Sequence, residues 1–95
     1  MDNQQLIDKV LRYGRDMGRS DTVRRGNGTR CRVKRWGRWT VRIDLFYANY
    51  APCRAECLLL NNGIPHARYV SADNSIQALQ MLYYDGIIVR SERTL

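Results

Sequence analysis

Long apolar runs are missing from this chain. Its longest aliphatic stretches, Leu58–Leu60 and Ile87–Val89, fall far short of the roughly 20 residues that a membrane helix needs. The segment Met1–Gln5 is polar and acidic, with neither the positive region nor the apolar stretch of a secretory leader. Both absences predict a protein of the cytoplasm, the host's if the chain is phage-encoded, with no membrane partner. Cysteine is scarce and odd in number. Cys31, Cys53 and Cys57 read as reduced thiols rather than a disulfide framework. Histidine occurs once, at His66. No glycine-rich phosphate loop, strained nucleophile motif or paired carboxylate set is present. Helix-turn-helix, zinc-finger and RNA-recognition signatures are missing as well. These absences predict a non-enzymatic protein without cofactor or metal.

Arginine is what the chain has in quantity. Of its 16 Lys and Arg residues, ten fall between Arg15 and Arg42, and only Asp16 and Asp21 oppose them there. The ten are Arg15, Arg19, Arg24, Arg25, Arg30, Arg32, Lys34, Arg35, Arg38 and Arg42. The net charge is +7 and the pI about 9.8. A cation field of this density concentrates anions around it, polyanions above all. At 95 residues, 44% of them hydrophobic, the chain reads as a single domain, 1–95, with one modest core.

Hydrophobic spacing predicts an α+β architecture. Leu6, Ile7, Val10, Leu11 and Met17 recur at helical intervals over 3–17, and Asp2 with Gln5 resembles a capping box. Residues 18–29 lose the period and hold Gly18, Gly26 and Gly28 among polar and basic residues, which reads as a mobile basic loop. Four antiparallel strands follow, over 30–36, 40–48, 53–60 and 64–70. Gly37-Arg38 suits a type II′ turn that sets Trp36 opposite Trp39, and Asn62-Gly63 is a strong hairpin signal. Asn49–Pro52 reads as a loop, and Pro65 suggests an edge or a strand end. Ile76, Leu79, Leu82 and Tyr83 form the stripe of a second helix over 74–85, packed on the sheet. Ile87–Val89 allows a short fifth strand over 87–90.

The strand, the Asn62-Gly63 turn, the next strand and then Ser71-Ala72-Asp73-Asn74-Ser75-Ile76-Gln77-Ala78-Leu79 resemble small uncharacterised bacterial domains. In those a β-meander leads into a helix opening Asp-Ser-hydrophobic-Gln-Ala-Leu. The resemblance spans roughly residues 40–89, and Asn74 is an insertion in the string. It implies a meander-plus-helix fold and transfers no activity.

Arginine forks onto phosphate and stacks on bases, and Trp36, Trp39, Tyr47 and Tyr50 lie near the cations as candidate stacking faces. The residues expected to carry binding are therefore Arg19, Arg24, Arg25, Arg30, Arg32, Lys34, Arg35, Trp36, Arg38, Trp39 and Arg42. The expected partner is nucleic acid or a nucleoprotein complex. Size and charge also suit a phage or mobile-element inhibitor of a host defence complex, in the manner of anti-CRISPR proteins. Two alternatives stay open: a protein-interaction or homodimer module docking on an acidic surface, and a minor enzyme using His66 with Asp44 or Cys57. Cys31, Cys53, Cys57 and His66 match a zinc set by residue type, but their spacing gives that set no support.

Overall fold

The computed structural model describes residues 1–71 and the pair Arg93–Thr94. One helix, α1 (Asn3–Tyr13), precedes a meander of five antiparallel strands. They are β1 (Arg15–Asp21), β2 (Gly28–Trp36), β3 (Trp39–Ala48), β4 (Ala51–Asn61) and β5 (Ile64–Ser71). Each pairs with its sequence neighbour. The two residues of β6 (Arg93–Thr94) pair with Val70 and Tyr69 of β5. The helix expected over 74–85 and the strand over 87–90 lie outside the described residues.

The N-terminal helix starts where the sequence places it. The Asp2 carboxylate accepts from the Gln5 amide at 2.8 Å, and the Gln5 side chain accepts from the Asp2 amide at 2.9 Å. This reciprocal cap satisfies two donors that the first turn leaves open. Ile7, Val10 and Leu11 are buried on one face. The helix stops at Tyr13, earlier than the periodicity to Met17 predicts. Beyond Leu11 only Met17 continues the stripe, and it stays 46% exposed. The chain instead turns extended at Gly14, whose amide donates to the Val10 carbonyl at 2.8 Å. It then pairs along β2, so backbone hydrogen bonding outweighs a helical turn with little left to bury.

The segment 18–29, read from sequence as a mobile loop, is the end of β1, a tight turn and the start of β2. Its side chains along Arg15–Asp21 are all exposed, so no hydrophobic alternation announced the strand. The pairing runs from Arg15↔Arg35 to Asp21↔Arg30, with a register shift between Asp16 and Gly18. Arg24–Asn27 closes with reciprocal backbone hydrogen bonds of 2.8 and 3.0 Å. Arg25 (φ 51) and Gly26 (φ 78) take the positive φ angles of a type I′ turn. Asn49-Tyr50 and Asn62-Gly63 do the same. The loop expected over Asn49–Pro52 is thus only two residues long, and Ala51 and Pro52 already belong to β4. At Gly37-Arg38 only the glycine has positive φ (62), as the type II′ reading requires.

Directly paired residues share a face of the sheet. Val41, Ile43 and Leu45 of β3 therefore align with Leu59, Cys57 and Ala55 of β4. Ala67 of β5 and Ile7, Val10 and Leu11 of α1 complete this core, every member of which is at most 7% exposed. Each fully buried aliphatic side chain here stabilises the fold by about 1.5–3 kcal/mol. The opposite face carries Arg35, Arg42, Asp44, Phe46, Arg54, Glu56, Leu58 and Arg68, and α1 does not cover it.

Gly14 is sterically required. A Cβ there would lie 2.2 Å from the Val10 carbonyl oxygen and 3.1 Å from that of Arg35. Gly14→Ala is expected to destabilise the protein by about 1–3 kcal/mol, the cost of forcing an atom into packed backbone. A denaturant midpoint equal to that of the parent would show that the helix exit is not so constrained.

Candidate nucleic-acid interface

The register sorts the arginines that cluster in sequence. Because Arg30, Arg32, Lys34 and Trp36 pair with Leu45, Ile43, Val41 and Trp39, they rise from the face that bears the core. Arg19, opposite Arg32, lies on that side too and reaches Asp16 at 3.8 Å. Arg35 and Arg42 point the other way. Arg24 and Arg25 sit in the turn at one end of β2, and Arg38 sits in the turn at the other. The expected site is therefore split between two faces and two ends.

Several of these cations do structural work. Lys34 Nζ donates to the Leu11 carbonyl at 2.8 Å, satisfying an open acceptor at the C-terminal end of α1, where a cation also suits the helix dipole. Desolvation, and then the nearby Arg32 charge, lower the Lys34 pKa. Arg30 bonds the Asp21 carboxylate at 3.1 Å and the Tyr47 hydroxyl at 3.3 Å, with its guanidinium 5.0 Å from the Tyr47 ring centre. Trp36 and Trp39 are register partners, but each ring has another neighbour. Trp36 lies 6.4 Å from Tyr13 under the Lys9 ammonium. Trp39 meets His66 edge-on at 5.2 Å, with Arg38 over it. Both pack against the core, so neither stands free at the hairpin tip.

The face away from α1 gathers a different set. Arg15 faces Arg35 across β1–β2, and Arg42, Leu58 and Arg68 form a row across β3, β4 and β5. Asp44 and Glu56 are direct cross-strand partners, two carboxylates side by side. Arg42 holds Asp44 at 3.0 and 3.4 Å, and Asp44 in turn raises the Arg42 pKa. Glu56 is held by Arg54 at 2.8 Å and by Arg68. Arg42, Asp44, Glu56 and Arg68, with Leu58 and Pro65, line a shallow hollow. Arg54 and Arg68 were not among the residues expected from sequence, since they lie outside the dense segment. Their signal was alternation: Arg54 and Glu56 occupy the phase opposite Ala55 and Cys57.

The Arg15–Arg35 pair has no such compensation. Like charges directly opposite one another destabilise a sheet. Arg35 Nε donates to the Gly37 carbonyl at 2.8 Å, and Arg15 reaches only the Met17 sulfur at 3.8 Å. Among the described residues, neither has a carboxylate within 4 Å, and the same holds for Arg24, Arg25 and Arg38. All five are exposed.

The groups named for the enzymatic alternative are dispersed. Asp44 lies on the open face, Cys57 is buried in the core opposite Tyr69, and His66 is exposed beside Trp39. Burial pushes the Cys57 thiol up to about 12. Cys31 is raised as well, first by burial and then by Asp44. Cys53 donates its thiol to the Phe46 carbonyl at 3.4 Å. Among the described residues, no three His, Cys, Asp or Glu side chains converge as metal ligands, and no helix is long and apolar enough to cross a membrane. Comparison of the chain with protein-family models, curated proteins and solved structures finds no match.

Two outcomes separate structural groups from binding groups. Lys34→Met is expected to cost about 1.5–3 kcal/mol in urea unfolding, the worth of a hydrogen bond from a charged donor. Cys57 ionises in the unfolded chain near its ordinary value of 9.0 and in the fold near 12. The unfolded state therefore loses this proton first, and stability falls as pH rises from 9 towards 12. Unfolding of the parent and of Cys57→Ala at about pH 8 and about pH 10 measures this contribution, and the variant should show the shallower fall.

Proposed function

We propose that this protein is a small non-enzymatic binding protein that contacts nucleic acid or a nucleoprotein complex. Its main surface in this reading is the sheet face bearing Arg15, Arg35, Arg42, Arg54 and Arg68. The observation that carries the proposal is the Arg15↔Arg35 pair: two exposed arginines at directly opposed positions, with no carboxylate within 4 Å among the described residues. Like charges at opposed positions work against folding, and an anion bound at the pair relieves this. Phosphate matches it best, because guanidinium forks bind phosphate oxygens in pairs. The neighbouring Arg42, Arg54 and Arg68, each paired with Asp44 or Glu56, extend the basic surface. Leu58 and Phe46 between them offer apolar contact to sugars or bases.

A surface of this kind suits an inhibitor that occupies the nucleic-acid path of a host defence complex, or grips the nucleic acid within it. The lysine and arginines on the core-bearing face then serve mainly to hold the helix and the β1 edge.

The reading predicts opposite effects on stability and binding. Arg15→Gln and Arg35→Gln should each raise stability by about 0.2–1 kcal/mol by ending the like-charge contact. Each should weaken binding to DNA or RNA and reduce the slope of log affinity against log salt by about 0.7–0.9. Fluorescence anisotropy titrations at two salt concentrations, alongside urea melts, give both numbers. Unchanged affinity and slope in both variants would remove this face from the interface. Tight binding to an acidic protein alone would assign the arginines to that partner instead.

A further inference from the structure

We infer that the end of the sheet formed by Arg24, Arg25 and Tyr50 is a stacking site for an unpaired nucleotide of a single strand. The inference rests on the nucleic-acid reading above and adds the form of nucleic acid bound.

Two tight turns are locked together at this end. The Tyr50 amide donates to the Gly26 carbonyl at 3.0 Å, and the Asn49 amide donates to Asn27 Oδ1 at 3.2 Å. Asn27 Nδ2 donates in turn to the Arg25 carbonyl at 3.1 Å. Gly26 is buried beneath Tyr50. A Cβ on Gly26 would lie 2.6 Å from Tyr50 Cγ and 2.7 Å from Cδ2, so the root of the ring rests on the glycine backbone. Tyr50 is nevertheless 78% exposed. One part of the ring is seated and the rest is open to solvent.

The backbone here is also costly. Tyr50 has φ 67 and Arg25 has φ 51, left-handed values at turn positions where glycine or asparagine is the ordinary choice. A bulky aromatic held in this conformation and left in solvent gains little for the fold. It gives a rigid, preorganised π face at low entropic cost, which is what a stacking platform needs. Arg24 and Arg25, on the adjoining turn, are exposed and have no side-chain partner among the described residues. They supply guanidinium groups for the phosphates flanking a stacked base. In a duplex the base faces are already stacked on each other, so only an unpaired base can use the ring.

The test is an anisotropy titration of the full chain at low salt with labelled strands of about 12 nucleotides, a length that spans a typical single-strand site. The probes are oligothymidylate, oligouridylate, an abasic strand of equal length and a duplex. Tyr50→Gly removes the ring and accepts the positive φ, so the turn is retained; Tyr50→Asn is a second variant with the same tolerance. Thermal melts confirm folding of both. The expected result is that the parent prefers the base-bearing single strands over the abasic strand and the duplex. Both Tyr50 variants should weaken binding of the base-bearing strands by about 5- to 150-fold, the range for one lost base–aromatic stack. Abasic binding should be unchanged, and Tyr50→Phe should bind as the parent does. Arg24→Gln and Arg25→Gln should each lower the salt slope by about 0.7. Undiminished binding of oligothymidylate and oligouridylate by Tyr50→Gly, or a parent preference for duplex, overturns the stacking site and leaves the broader nucleic-acid reading standing. Failure of the parent to bind any of the four probes overturns both.

Discussion

The two-residue turn at Gly37-Arg38 fixes the register between β2 and β3, and nearly everything else in this molecule depends on that register. Side chains alternate across a strand, so a slip of one residue would exchange the two faces. In the observed register Val41, Ile43 and Leu45 face α1, and Arg42 and Asp44 face away. The same register sends Lys34 towards the end of the helix, and Arg35 towards the open face beside Arg15. A single glycine with φ 62 thus decides which cations become internal struts and which are offered outward.

This sorting answers a problem posed by the composition. A chain with net charge +7 repels itself on compaction. The fold spends some of its cations on its own acceptors: the Leu11 carbonyl, the Asp21 carboxylate, and the Asp44 and Glu56 pair. Arg15, Arg24, Arg25, Arg35 and Arg38, which have no carboxylate within 4 Å among the described residues, lie towards the ends of β2 and on the β1 edge. Repulsion there is lowest because solvent and salt screen it. Their placement at the periphery follows from electrostatics before any question of partner arises, and a partner then finds them already exposed.

Much of the sheet was legible in the sequence because its turns and its alternation are strong. Asn62-Gly63, Gly37-Arg38 and the run Val41-Ile43-Leu45 each dictate their local structure, and all four expected strand starts fall within two residues of the observed ones. The fold was least legible at β1. Arg15–Asp21 has no buried side chain, so it is held by main-chain pairing, which leaves no trace in hydrophobic spacing. The helix was overextended for the complementary reason, Met17 lying at the right interval but with nothing to pack on. The candidate site was legible as a composition and not as a place. Arg35 and Arg42 were named but not their neighbours Arg54 and Arg68, because sheet register gathers residues far apart in the chain. The roles of Lys34 and Trp36 depend on α1 lying across β2, which strand patterns do not reveal.

The meander from β1 to β5 has a kinetic consequence. Every pairing in it joins sequence neighbours, and its four turns each contain only two residues between paired positions. Loop closure is therefore short at every step, and no strand waits for a distant partner before it can zip. A chain built this way can assemble its sheet hairpin by hairpin as it emerges from synthesis, starting from either of its well-formed central turns.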